Sequence, residues 1–499
     1  MSSLAAGPGR IRPFGVLAAV ALLGLGTPRG LAAQGVRGWA RTTARYVQLR
    51  PLALDTIPPD QVTVDDGGFA LFEGQPVACR RGLYCTRYRM APVDHVVHGT
   101  QDVSFTAWGL GVQGLSGTVF LRGRADVAGD FTWPRSDDPL DAILAYAQLA
   151  RGPLRVRVGR QEARSGLGFA SFDGGNVRWA ALDELRLEAY GGRSLARGLR
   201  EPRDEALQGL QRFVPDQNAY LVGGAVEGEP VPGTAVTARY QREIWADRSA
   251  LISERASLGF RSATLSPLVA DGSAAYDFAF GRVGKAHLSV RYPVSAWSLQ
   301  MEGTLRRYVP YFELHTIWGF FDPVAYHEAE LRSSWWPGSS LGLWASGARR
   351  WYEDTHTTDR FGEFAPLEGT AWRASAGARW TPLSGWTLDG QYRLEWANGA
   401  FLSSGDLSVT WTPTDRLRLS ATGTALQQFE EYRLGESTAL GVGGTGRLQL
   451  TDLVRLDAGA SLYRQVGEGR LFEAEEDWSQ VRAWSAVRVE FGRDPGMDR

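Results

Sequence analysis

The chain has almost no lysine. Lys285 is the only one among 54 basic residues, so the other 53 are arginines and nearly every positive charge is a planar guanidinium with five fixed donors. The 55 acidic residues cancel that charge to a net of -1, and no dense basic tract occurs, which together exclude a general nucleic-acid binder. Histidine is scarce as well: His95, His98, His287, His315, His327 and His356 are the six. None lies in a metallopeptidase helix motif, the Gly-x-Ser-x-Gly string at Gly338–Gly342 falls at a short connection rather than in a strand-to-helix elbow, and no Cys-x-x-Cys-His offers a covalent haem site. His356 with Asp354, Asp359 and Glu363 is the one acidic-histidine cluster, and it reads as a solvated or cation-binding external loop rather than a catalytic centre. The sequence therefore reads as a non-enzyme without a resident metal or cofactor.

Long apolar runs are missing too. After the amino terminus nothing approaches the 18 or so consecutive apolar residues of a membrane-spanning helix. At the terminus itself, Arg10 and Arg12 precede a 13-residue apolar run from Phe14 to Gly26, followed by Pro28 and the small residues Ala32 and Ala33. That order is a secretory signal peptide over 1–33, and the run is too short to span a bilayer. Export suits the two cysteines, Cys79 and Cys85, which in an oxidising compartment can close a small loop worth about 2 kcal/mol. A metal site shared with His95 and His98 is the competing reading, with a poor ligand set.

What is present is period-two alternation. In Thr118–Val127, Val119, Leu121, Gly123, Ala125 and Val127 share one face, opposite Arg122, Arg124 and Asp126. Leu154–Val158 sets Arg155 and Arg157 against three aliphatics, and Glu184, Arg186 and Glu188 oppose Leu185, Leu187 and Ala189. The last such segment, 481–491, puts Val481, Ala483, Ser485, Val487, Val489 and Phe491 on one face and Arg482, Trp484, Ala486, Arg488 and Glu490 on the other. Only half-buried strands fit this spacing. A soluble antiparallel sheet also alternates, but these segments are long enough for tilted membrane strands, and aromatics such as Trp108, Trp133, Tyr308, Trp335, Trp336, Trp351, Tyr352, Trp380, Trp396 and Trp411 sit at their ends.

Connections in the second half alternate between short and long. Short ones fall at Pro293–Ser295, Pro337–Ser339, Thr381–Ser384, Thr412–Asp415 and Thr451–Asp452; long ones fall near 309–323, 352–367, 397–403, 428–436 and 464–479. Short periplasmic turns and longer external loops give this rhythm in outer-membrane barrels. The expectation is an all-β, transmembrane antiparallel β-barrel of about 22 strands, within a range of about 18 to 24, in the bacterial outer membrane. The first strand lies in 34–50, the barrel continues over 100–491, and 492–499 is a periplasmic tail. Between them, 51–99 is a proline-rich insert with the cysteine pair that either plugs the lumen or hangs in the periplasm. A short helix is expected at 203–213, where Leu207, Leu210 and Phe213 recur every third residue.

A barrel of this size cannot fill its interior with its own side chains, so water or a guest protein enters. Inward Arg122, Arg124, Arg155, Arg157, Arg186, Arg239, Arg306, Arg418 and Arg488 would attract anions if unpaired. Glu184, Glu188, Glu302, Glu395 and Glu490 are equally inward, so cross-strand ion pairs are the main role expected for most of these arginines, with a subset left for selectivity.

The residues Val158-Gly-Arg-Gln161, Gly166-Leu-Gly168, Phe172-Asp-Gly174 and Arg178 resemble an element of large outer-membrane porins of the alginate-export type. The resemblance covers about 20 of 499 residues. It implies an Arg-lined barrel passing anionic polysaccharide and makes Arg160, Gln161, Asp173 and Arg178 lumen candidates; the plainer reading is that Asp173 and Gly174 shape a turn that Arg160 anchors. The functional expectation is a porin-like channel for passive diffusion of small hydrophilic, by preference anionic, solutes. The alternative is a sleeve holding a periplasmic electron-transfer cytochrome. Partners on these readings are outer-membrane lipid, the solutes, and either that cytochrome or two further copies in a homotrimer.

Overall fold

The structure is a computed structural model. It describes residues 35–492 except 51, 65–69, 74, 81–83, 91, 130–138, 196–217, 247–250, 280, 310–324, 354–357, 360–361, 364–368, 398–399, 432–435 and 469–477. The signal peptide expected at 1–33, residues 493–499, Trp133, the helix expected at 203–213, His315 and His356 with its Asp354 lie outside the described residues.

Twenty-two long strands form the wall. They are β1 (Gly35–Leu49), β2 (Asp94–Trp108), β3 (Leu115–Ala128), β4 (Leu140–Arg151), β5 (Leu154–Ser165), β6 (Gly168–Leu182), β7 (Leu185–Ser194) and β8 (Ala219–Val231). Next come β9 (Thr234–Trp245), β10 (Leu251–Ser262), β11 (Val269–Asp277), β12 (Arg282–Val294), β13 (Leu299–Tyr308), β14 (Tyr326–Gly338) and β15 (Leu341–Tyr352). The last are β16 (Thr370–Trp380), β17 (Trp386–Ala397), β18 (Ala400–Thr414), β19 (Leu417–Glu431), β20 (Glu436–Gln449), β21 (Val454–Glu468) and β22 (Trp478–Gly492). Each pairs antiparallel with its chain neighbours. β1 closes the ring by pairing with β2 on one side and with β22 on the other, Trp39 opposite Glu490 and Val47 opposite Arg482. The ring has no terminal edge strand, which is the condition for strands to cross hydrocarbon.

The alternation sorts onto two faces as the sequence predicts. Val226, Leu258, Leu305, Leu331, Leu407 and Val442 stand exposed on the outer face, Val442 to 60%. Their chain neighbours at odd offsets turn inward, where Thr43, Asp102, Ser253, Arg255, Glu328, Asp457 and Ala486 are buried. A wall carrying so many exposed aliphatics has lipid outside and polar contacts inside. On the outer face, exposed Trp335, Trp380 and Trp411 stand near one rim and Trp351, Trp372 and Trp396 near the other. These are the two interface girdles.

Both ends of the described chain, with the short turns at 339–340, 415–416 and 450–453, lie at one rim. The long connections lie at the other. The strand expected at 101–113 runs Asp94–Trp108 instead, because the register with β1 continues to Leu49 opposite Asp94. The insert is correspondingly shorter than 51–99, and it leaves the wall at the long-loop rim, opposite the ends of the described chain. It holds two three-stranded sheets: Leu52–Ile57, Ala78–Arg80 and Tyr84–Met90 in one, Thr63–Val64, Ala70–Phe72 and Gln75–Pro76 in the other. Cys79 and Cys85 face each other in register and are disulfide-bonded, which removes both thiolates as metal ligands. Arg87 ties the sheets together, 4.6 Å over the Phe72 ring and 3.1 Å from Glu73.

Candidate functional site in the barrel lumen

One hairpin leaves the wall. β5 pairs with β4 no further than Arg160 opposite Ala145, and β6 begins to pair with β7 only at Phe172 opposite Ser194. Between those points the two legs pair with each other, out to Ser165 opposite Gly168, and the last tie to the wall is Leu195 N–H donating to Ser171 O at 2.8 Å. The departure starts at Gly159, Gly174 and Gly192, which are consecutive cross-strand partners. Gly159 has φ +126°, where L side chains are strained, and a Cβ on Gly174 or Gly192 would collide with the backbone of the facing strand. Three glycines in one row let the two strands turn sharply while their neighbours continue straight.

The hairpin folds inward. The carbonyl of Leu167 at its tip accepts a hydrogen bond from Arg255 Nη1 at 3.2 Å, on the inner face of β10, four strands further round. On the side facing the wall, Gln161, Leu167, Ala170 and Phe172 are buried. Phe172 stacks on Tyr190 of β7 at 5.6 Å and forms a small apolar cluster with it, Ala170 and Leu221. Tyr190 in turn donates to Gln241 on β9 at 3.1 Å. The opposite side, with Glu162, Arg164 and Phe169, faces open space; the Arg164 side chain is 78% exposed.

Arg160 and Asp173 lock the bend. Nε and Nη2 of Arg160 donate to the two carboxylate oxygens of Asp173 at 2.8 and 2.9 Å, a bidentate fork across the two legs. The third donor, Nη1, reaches the carbonyl of Ala142 at 2.9 Å. That carbonyl lies beside the β4 irregularity between Ala142 and Leu144, on the strand that β5 has just left. Gln161 Nε2 donates to Gly174 O at 3.0 Å. The residues that carry the alginate-export resemblance are therefore the hinge and tip of this hairpin.

Most of the arginines expected inside are paired with a carboxylate on a neighbouring strand. Arg122 holds Asp102 through Nε at 2.7 Å and Nη2 at 3.1 Å, and Arg124 lies 3.2 Å from Asp141. Arg178 and Arg239 converge on Glu188, with Arg239 also on Glu227. Arg488 pairs with Glu490 at 3.1 Å and covers Trp39. Arg157 instead donates to Gln148 at 2.7 Å and lies over Tyr146. Arg306 belongs to a larger knot that sequence reasoning missed: Glu328, its side chain 2% exposed, accepts from Arg306 at 3.0 Å, Arg350 at 2.8 Å and Arg373 at 2.8 Å. Glu330 and Glu395 complete it, so three cations meet three anions. Alternation alone places Glu328 and Arg350 inward; their joint contact follows from a register no single strand reveals. Arg155, Arg186 and Arg418 differ from the rest. They are exposed, stand one or two residues from the short turns, and have no ion pair among the described residues.

No family model and no curated protein matches the chain. Among solved structures it is similar to a variant of the ferric enterobactin receptor of Pseudomonas aeruginosa in complex with enterobactin, at 11% identity and TM-score 0.50, over 91% of this chain and 81% of that one. OccAB4 of Acinetobacter baumannii is 9% identical with TM-score 0.40, over 93% of this chain and 100% of that one. A BenF-like porin of Pseudomonas fluorescens is 8% identical with TM-score 0.41, over 92% and 99%. The chain is an outer-membrane β-barrel. At such identities the likeness is one of fold, and the alginate-export resemblance of 158–178 stands on those residues alone.

Proposed function

We propose that this barrel is a passive channel for small hydrophilic solutes, with a modest preference for anions. The observation that carries the reading is the closed 22-strand wall with a polar inner face, which is too wide for wall side chains to fill. The preference is assigned to Arg155, Arg186 and Arg418 at the mouth beside the short turns, since a paired arginine contributes little net field. No chemical step is involved. A sleeve around a cytochrome is the weaker reading, because the inward hairpin competes for the space a guest would need.

The test is single-channel conductance in planar bilayers under a salt gradient. The native barrel should conduct with a reversal potential on the anion side, and joint replacement of Arg155, Arg186 and Arg418 by Gln should move it towards the cation side. Absence of conductance together with stoichiometric copurification of a haem protein would remove the channel in favour of the sleeve.

A further inference from the structure

We propose that the hairpin 161–171 is the constriction of this channel and that it filters solutes by size rather than charge. The proposal rests on the channel reading above and assigns its narrowest point. Residues 162–170 have left the wall ladder on both sides, and their tip is held on the inner face of β10. The hairpin therefore crosses the inner surface of β7 to β9 and takes cross-section from the lumen at that level. It is built to stay there: one face is buried against Tyr190 and Leu221, the hinge is closed by the Arg160–Asp173 fork, and Arg255 holds the tip.

Its charge is balanced. Arg160 is matched by Asp173, and Arg164 lies 3.4 Å from Glu162, so the segment 160–173 holds two cations and two anions. An element of this kind narrows the path without imposing a sign on what passes. Sieving at the hairpin and charge preference at the mouth arginines thus become separate properties of separate residues. The solute class is accordingly small and polar, with an upper size limit set by 161–171.

Two variants of the full chain test this, both checked for folding by heat-modifiable migration. In the first, Gly166→Cys and Ser257→Cys are combined in a background carrying Cys79→Ala and Cys85→Ala. A Cβ at 166 would lie 3.7 Å from Ser257 Oγ, so dissolved oxygen should oxidise the two thiols to a disulfide, which appears as a two-dalton mass loss. Failure to cross-link in folded protein would overturn the inward placement. In the second, residues 162–171 are replaced by Asn-Gly, a two-residue hairpin turn joining the paired residues Gln161 and Phe172 and removing one charge of each sign. Conductance should rise by about twofold or more, and neutral oligosaccharides excluded by the native barrel should enter liposomes, with the reversal potential unmoved. Unchanged conductance and cut-off would overturn the constriction even if the cross-link forms. A native barrel that stays closed while the shortened one conducts would keep the hairpin as the constriction and remove the open channel; closure of both would overturn both.

Discussion

Replacing Glu328 by Gln should destabilise the barrel more than removing any other inward carboxylate described here. Its side chain is 2% exposed and accepts from three guanidinium groups on β13, β15 and β16. Gln keeps the shape but cannot balance three cations, so the knot passes from neutral to a net charge of +1. Breaking a buried ion pair costs about 3–5 kcal/mol, and the low end applies because Glu330 and Glu395 still reach these arginines, so about 3 kcal/mol is expected. The control is Asp389→Asn, whose partner Arg379 is 72% exposed; that change should cost less than about 1 kcal/mol. Urea titration of folding into phospholipid vesicles, followed by tryptophan fluorescence, reads both. If the two variants unfolded at the same urea concentration, the knot would be a set of solvated contacts and the energetic argument would fail.

Lipid contact gives a second expectation: Val442→Arg, at the middle of β20 on the outer face, should cost about 2–4 kcal/mol in the same titration, whereas Thr445→Arg on the inner face should cost under about 1 kcal/mol. Equal effects would place water on both sides of that strand. Removing the disulfide with Cys79→Ala and Cys85→Ala should loosen only the small sheets of the insert, by about 2 kcal/mol of loop closure, and leave heat-modifiable migration of the barrel intact. Protease cleavage confined to 52–90 checks this; loss of the folded barrel band would show that the insert holds the wall together.

The wall was legible because its signal is local and repeated. A period of two reports which face a residue takes, and short turns report where the chain reverses; together these returned the strand number and the orientation of β22. Neither signal carries curvature. The alternation in 153–193 places strands at 153–161, 175–182 and 185–193 with a loop between the first two, so it reports neither that 161–165 and 168–172 pair with each other nor that this hairpin turns inward, although the glycine spacing marks an irregularity. That Leu167 ends on Arg255, 88 positions away in the chain, depends on how far the barrel turns over four strands. The start of β2 was misplaced for a related reason. His95 and His98 break the expected composition, yet His98 is buried on the inner face opposite Arg45, and His95 faces Tyr46, with 2.7 Å between its Nδ1 and the phenolic oxygen.

Arginine number is therefore a poor guide to selectivity in this wall, and two single substitutions make the point measurable. Arg122→Gln and Arg155→Gln remove the same formal charge from the same face. Arg155 has no ion pair among the described residues, so its loss should move the reversal potential towards cations and leave stability within about 0.5 kcal/mol. Arg122 holds the Asp102 carboxylate, whose side chain is 11% exposed, so its loss strands a nearly buried anion at a cost of up to about 3 kcal/mol. Adding Asp102→Asn should restore most of that stability, because no uncompensated charge then remains. A stability for Arg122→Gln equal to that of Arg155→Gln, with no recovery in the double variant, would mean that the cross-strand pairs leave these charges free, and the preference assigned to the mouth would have to be shared along the whole lumen.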